Sequence, residues 1–138
     1  MASANFAIIQ KFFALTNVGK LDDAFTLLDD KAHWAIAQTV RGVSIPKAQL
    51  KDRMGPMWAA FEGPLQLTPI SVIEQGDRLA VELKSHAITV LGKTYENKYV
   101  ILFTVKDGKI MDAKEYNDSL HVTQVLVPAI EHAVAQSR

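Results

Sequence analysis

A chain of 138 residues fits one domain, and at that length a single core can bury roughly two-thirds of the unfolded surface without staples. Fifteen basic residues balance fifteen acidic ones, so there is neither the basic excess that nucleic-acid binding uses nor an acidic solvating tail. Cysteine is absent, which excludes disulfides, thiolate nucleophiles and zinc–thiolate centres. Residues Met1 to Phe6 lack a basic segment leading into a long apolar run, and no apolar stretch approaches ~20 residues. A cytoplasmic protein with no membrane span and no nucleic-acid partner is expected, built as one domain over residues 1–138.

Taken in order, Ser3 caps a first helix in which Phe6, Ile9 and Phe13 recur at helical spacing and Ile8, Phe12 and Leu15 widen the stripe. Gly19 stops it. Asp22 or Asp23 opens a second, short helix with Phe25 and Leu28 inward, and Asp29-Asp30-Lys31 breaks it. Ala32 to Ala37 predicts a short strand with Trp34 and Ile36 on one face. Thr39 to Ser44 reads as a loop, and Ser44-Ile45-Pro46 as a helix start, since proline is tolerated in a first turn. Leu50, Met54, Met57, Trp58 and Phe61 then fall at helical spacing. Gly55-Pro56 predicts a kink there or two short helices, and Gly63-Pro64 ends the segment.

A meander of strands follows: 67–74, a turn at Gln75-Gly76-Asp77, 79–90, and a turn at Leu91-Gly92-Lys93. Tyr95 to Leu120 reads as two long strands around Asp107-Gly108, whose tolerance of positive φ suits a two-residue hairpin loop. Val100 to Phe103 is apolar on both faces, so that strand must be covered on both sides. Val122, Val125, Leu126, Ala129, Ile130, Ala133 and Val134 form a last helical pattern, which Pro128 should kink or split. Helices first and antiparallel strands after predict an α+β fold, a cone-shaped curved antiparallel sheet wrapped around N-terminal helices.

The open ends of the hairpin carry the candidate chemistry. Asn97 and Tyr99 near one end lie beside Glu115, Tyr116, Asn117 and Asp118 near the other, and polar groups at the rim of an apolar wall are what a small-molecule pocket needs. Glu115 shares a face with Met111 and Ala113, where a carboxylate acquires a raised pKa and can serve as acid or base; the alternative is a structural ion pair. Asn97 and Tyr99 share a face with Ile101 and Phe103 and can polarise a carbonyl or hydroxyl, unless the buried phenol merely satisfies itself on backbone. Glu82, Lys84 and His86 alternate on one strand face. They read either as a solvated face or as a second carboxylate and an imidazole, Glu82 and His86, lining the pocket. Trp34, Trp58, Phe61 and Phe103 supply core or pocket wall. The four histidines show no metal-ligand spacing, and no phosphate loop or nucleophile elbow is present, so no metal and no cofactor is expected.

The runs Tyr95-Glu96-Asn97-Lys98-Tyr99, Asp107-Gly108-Lys109-Ile110 and Glu115-Tyr116-Asn117-Asp118-Ser119 resemble the C-terminal half of SnoaL-like proteins. These belong to the nuclear transport factor 2-like superfamily, with ketosteroid isomerases, limonene-epoxide hydrolases, polyketide cyclases and scytalone dehydratases. The element order matches over most of the chain, the motifs over residues 76–120. The resemblance implies the cone fold and places Glu115 where limonene-epoxide hydrolases carry a catalytic aspartate. It also matches Leu79-Ala80-Val81-Glu82 in part to a common Val-x-Val-Glu run. Departures are visible too. Asp29-Asp30 is followed by Lys31-Ala32-His33-Trp34-Ala35-Ile36 with no acid, against the isomerase mechanism, and the Arg–Asp pair of the hydrolases is not reproduced near Glu82, Lys84 and His86. Two functions are therefore expected: an isomerase, dehydratase, cyclase or hydrolase for a small apolar molecule, or a non-catalytic ligand-binding or dimerisation module. A homodimer is expected in either case, because one layer of helices covers only one face of strand 95–105.

Overall fold

These patterns become elements in the computed structural model, which describes residues 3–37 and 42–137. Helix α1 (Ala4–Asn17) begins where the Ser3 hydroxyl accepts the Phe6 backbone N–H at 3.0 Å, and it buries Phe6, Ile9, Phe12 and Phe13. The chain leaves the helix through Gly19 at φ +79°. Helix α2 (Leu21–Phe25) starts just before the predicted aspartates, so Asp22 and Asp23 sit in its first turn rather than at its cap. Asp29 then accepts the Lys31 N–H on its side chain and turns the chain into strand β1 (His33–Ile36).

The next segment corrects two expectations. Residues 39–41 of the predicted loop lie outside the described residues, but Val43 and Ser44 begin strand β2 (Val43–Pro46), which pairs antiparallel with β1. Ser44-Ile45-Pro46 is thus strand rather than helix start. Ile45 faces the core opposite Trp34, an alternation only two side chains long and easily hidden beside a proline. Pro46 caps helix α3 (Lys47–Trp58), which continues through Gly55-Pro56 as one helix, not two. Pro56 lies in the last turn, so its missing N–H removes one bond just before the helix ends.

Strands β3 (Gln66–Gln75), β4 (Arg78–Ile88), β5 (Thr94–Tyr95), β6 (Lys98–Lys106) and β7 (Lys109–Asn117) complete an unclosed sheet in the order β2-β1-β7-β6-β4-β3, with β5 also on β4. The sheet is mixed rather than antiparallel, because β1 runs parallel to β7. That pairing joins residues about eighty positions apart, which no local hairpin signal encodes. The predicted strand 79–90 ends at Ile88, and the strand predicted from Tyr95 is divided: Tyr95 belongs to β5, and β6 starts at Lys98. Asn97 bridges the gap, its backbone bonding Ser85 through both N–H and C=O. At the β6–β7 turn, Asp107 and Gly108 adopt φ +53° and +76°, as a two-residue hairpin loop requires. A bulge at Thr104/Val105 puts Ile110 into the core instead of Met111.

Asp118 caps a short helix α4 (Ser119–His121) that passes through a π-helical turn (Val122–Leu126) into α5 (Val127–Gln136). The predicted effect of Pro128 is expressed as that wide turn. Its missing N–H leaves the carbonyl four residues earlier unpartnered, and i→i+5 bonding absorbs the defect.

The inner face of the sheet presents Leu79, Val81, Leu83, Ile101, Phe103 and Val105, all at most 1% exposed, to α1. On the outer face, Ile73, Ala80, Leu102, Lys114 and Ala35 form one cross-strand row, and Ser71, Glu82, Val100 and Tyr116 the next. Ile73 is 75% exposed and Val100 42%, so the helices cover only the inner face among the described residues.

Candidate functional site

Between α1, α3, the inner face of the sheet and the C-terminal helical segment lies a cavity of about 400 Å³. Its wall is largely aliphatic, with a cluster of packed aromatic rings. Phe12 stacks on Trp34 at 5.6 Å and on Phe25 at 6.5 Å, and Trp58 stands 5.9 Å from Phe25. Polar groups enter at few points: Glu115 and Asn117 from β7, Tyr95 and Tyr99 from the β5–β6 edge, Arg53 from α3 and Thr16 from α1.

Strand alternation turns Ala113, Glu115 and Asn117 inward, and pairing to both Ile36 and Ile101 places Glu115 centrally in the sheet. Its Oε1 accepts the Trp34 indole N–H at 3.1 Å, and its Oε2 accepts the Asn117 amide at 2.9 Å. The carboxylate is half-buried, and its accessible surface opens into the cavity. Burial raises its pKa; the bonds from Asn117 and Trp34 oppose that rise without cancelling it. Among the described residues no lysine, arginine or histidine forms an ion pair with it.

That environment predicts a pH dependence. A carboxyl whose folded-state pKa exceeds its unfolded one contributes stability that is complete below the ordinary value of 4.5 and is lost as pH rises through the raised value. The melting temperature of the wild type, relative to Glu115→Gln, is expected to fall as pH rises from 4.5 across that window. Groups other than residue 115 titrate in both proteins and cancel, so a pH-independent difference means that the carboxyl is not desolvated.

Beside Glu115 three hydroxyls form a chain. The Tyr99 hydroxyl lies 3.0 Å from Ser85 Oγ and 3.2 Å from the Tyr95 hydroxyl, which also accepts the Asn97 amide at 2.9 Å. Two contacts among three hydroxyls use two of their three protons. When Ser85 donates to Tyr99 and Tyr99 to Tyr95, the remaining proton is on Tyr95, at the cavity wall. Burial raises both phenols, so the two stay protonated at neutral pH and act as donors. His121 stacks on the Tyr95 ring at 5.2 Å while its Nε2 accepts the Glu96 N–H, which holds that ring in place.

Of the residues singled out in the sequence, Glu115, Tyr99, Trp34 and Trp58 line the cavity. Asn97 is 2% exposed and sits behind Tyr95. Its amide donates to Tyr95 and to the Asp118 carbonyl, and its oxygen accepts the Lys98 and Asp118 N–H groups, so it orients a phenol rather than a ligand. Phe61 packs on the Tyr95 ring, and Phe103 packs beneath Trp34 and Phe13; both are core outside the cavity lining. Glu82 and His86 correct the pocket reading. They lie on the outer face, where Glu82 accepts Ser71 and His86 faces Glu96, because the alternation of β4 sends Leu83 and Ser85 inward. Tyr95, Ser85 and Arg53 were missed as site residues. Tyr95 shares the two-residue period of Asn97 and Tyr99, which is the signal that identifies it; Ser85 and Arg53 carry none. No group of three or more His, Cys, Asp or Glu among the described residues is placed to hold a metal ion, and none of their helices is long and apolar enough to cross a membrane.

The family model for the SnoaL-like domain matches residues 9–113. No curated protein matches the sequence. Among solved structures, TerC, co-crystallised with polyporic acid, is 21% identical over 91% of this chain and 99% of its own, with a TM-score of 0.78. An NTF2-like protein of unknown function from Burkholderia pseudomallei is 15% identical over 91% and 98%, with a TM-score of 0.79. A candidate SnoaL-like polyketide cyclase from Jannaschia sp. CCS1 is 16% identical over 89% and 91%, with a TM-score of 0.73. At these identities the structures share the fold.

Proposed function

The chain belongs to the SnoaL-like domain family, and from that premise we propose that it is an isomerase, dehydratase, cyclase or hydrolase whose own side chains act on a small apolar substrate. Glu115 is the acid or base. The observation that carries this is a cavity-facing carboxylate held by Trp34 and Asn117, raised in pKa by burial and free of any ion pair among the described residues. Two neutral donors orient this glutamate, no cation among the described residues holds it ionised, and burial raises its pKa, which suits a group that gives and takes a proton.

The Tyr95 hydroxyl supplies the complementary group. As Glu115 removes a proton next to a carbonyl, negative charge grows on the carbonyl oxygen, and a fixed phenol donor stabilises it. The apolar wall, with its cluster of rings, excludes water and orients a flat, apolar substrate. The co-crystal of TerC with polyporic acid supports a small-molecule ligand on this fold.

Hydrogen–deuterium exchange tests the proton transfer without requiring the natural reaction. With 2-tetralone in deuterium oxide, NMR is expected to show faster loss of the protons beside the carbonyl in the presence of protein than in buffer. Exchange at the buffer rate for 2-tetralone and related cyclic ketones would sink the acid–base reading and leave ligand binding alone.

A homodimer built on the outer face belongs to the same reading. Leu102 and Val100 present apolar surface at the centre of this face beside the opposite charges of Lys114 and Glu82, and zero net charge sets little repulsion against pairing. In sedimentation equilibrium the wild type is expected as a dimer and Leu102→Glu as a monomer or an aggregate. A monodisperse wild-type monomer at micromolar concentration argues against the interface.

A further inference from the structure

The cavity lining contains one cationic side chain and one acidic side chain among the described residues, Arg53 and Glu115, and they come from different layers of the fold. Glu115 projects from the centre of the sheet. Arg53 projects from α3, is exposed, and so marks where the cavity meets solvent. Among the described residues no carboxylate forms an ion pair with it and no hydrogen bond holds it, whereas Lys47 and Lys51 on the same helix pair with Asp30 and Asp22. The cavity is therefore bipolar: apolar and aromatic along its length, cationic at the rim, and acidic within.

We propose that Arg53 is a specificity residue that holds an anionic oxygen group, a carboxylate, on the outer end of the substrate. This rests on the reading of the cavity as the substrate site. An anionic end is repelled from the depth of the cavity by the Glu115 carboxylate and is attracted to the Arg53 guanidinium at the rim. The guanidinium matches a carboxylate with two parallel N–H donors. The two effects orient a ligand one way only, with its neutral, reacting carbon toward Glu115 and Tyr95 and its charge toward water. The substrate class is then an aromatic or alicyclic carboxylate rather than a wholly apolar molecule.

Isothermal titration calorimetry with 2-naphthoate and its methyl ester separates charge from shape. In the wild type both probes are expected to bind. In Arg53→Gln the dissociation constant for 2-naphthoate is expected to rise about fivefold, the size of one partly solvated charge contact, while that for the ester stays unchanged. Arg53→Lys should restore part of the carboxylate affinity. Raising sodium chloride from about 0.05 to 0.5 M should weaken naphthoate binding in the wild type alone. Ester binding with naphthoate affinity indifferent to residue 53 overturns this inference and leaves the acid–base reading standing. Failure of both probes to bind the wild type overturns the substrate-site reading and this inference with it. Equal weakening of both probes in Arg53→Gln shows a packing role and also overturns it.

Discussion

Glu115→Gln is expected to abolish the acceleration of proton exchange, lowering the rate by roughly 10²–10⁴-fold, while ligand affinity and fold are retained. The substitution keeps the side chain's length and planarity. Trp34 can still donate to the amide oxygen, so the orientation of the indole survives; the group that titrates does not. The amide NH₂ then faces the Asn117 amide, and a flip of Asn117 restores that bond at little cost. Glu115→Asp is the informative companion. It keeps the carboxyl but withdraws it by one methylene, so it should retain part of the activity if geometry is limiting and none if the hydrogen bond from Trp34 is essential. Exchange at the wild-type rate in Glu115→Gln removes Glu115 from the chemistry.

Phe103→Ala is expected to destabilise the protein by ~3–5 kcal/mol, the usual range for deleting a fully buried aromatic ring. Phe103 is fully buried and meets Phe13 and Trp34 edge-on at 6.1 and 5.8 Å, at the centre of the inner face. Its loss opens a cavity bordered by Phe13 of α1 and Trp34 of β1, and removes part of the contact layer that holds α1 on the sheet. Since whole domains are stable by only ~5–15 kcal/mol, the variant should denature at a much lower urea midpoint with an unchanged slope. The effect also reaches the site, because Trp34 rests on Phe103 and donates to Glu115. Ligand affinity should fall with stability. A cost below ~1 kcal/mol would show that the ring is not the keystone of the core.

Several features were legible because they depend on neighbours in the chain. Ser3 starts a helix because its hydroxyl reaches an N–H three residues away, and Asp107-Gly108 makes a hairpin because both accept positive φ. The two faces of β6 followed from alternation, and the apolar company of Ala113 on its face gave the inward direction of Glu115. The convergence of Asn97 with Asp118 needed one further step, closing the hairpin at residues 107–108, and the bond between them follows from it.

What stayed hidden depends on partners distant in sequence. The parallel pairing of β1 with β7 brings Trp34 to Glu115, and nothing local to either residue announces it. Alternation told that Glu82, Lys84 and His86 share a face, but not which face; the sign was set by the side of the sheet on which α1 packs. Strand β2 was mistaken because a proline ends two useful residues of alternation, and only its ladder to β1 defines it.

The first helix, the hairpin turn at Asp107-Gly108, the absence of cysteine chemistry and the candidacy of Glu115 were determined by the sequence itself, since each rests on local stereochemistry or composition. The environment of Glu115 was decided by tertiary structure. Its two neutral donors, the hydroxyl chain beside it and the arginine at the rim come from six separate elements, and burial shifts a pKa only after those elements have closed around the group.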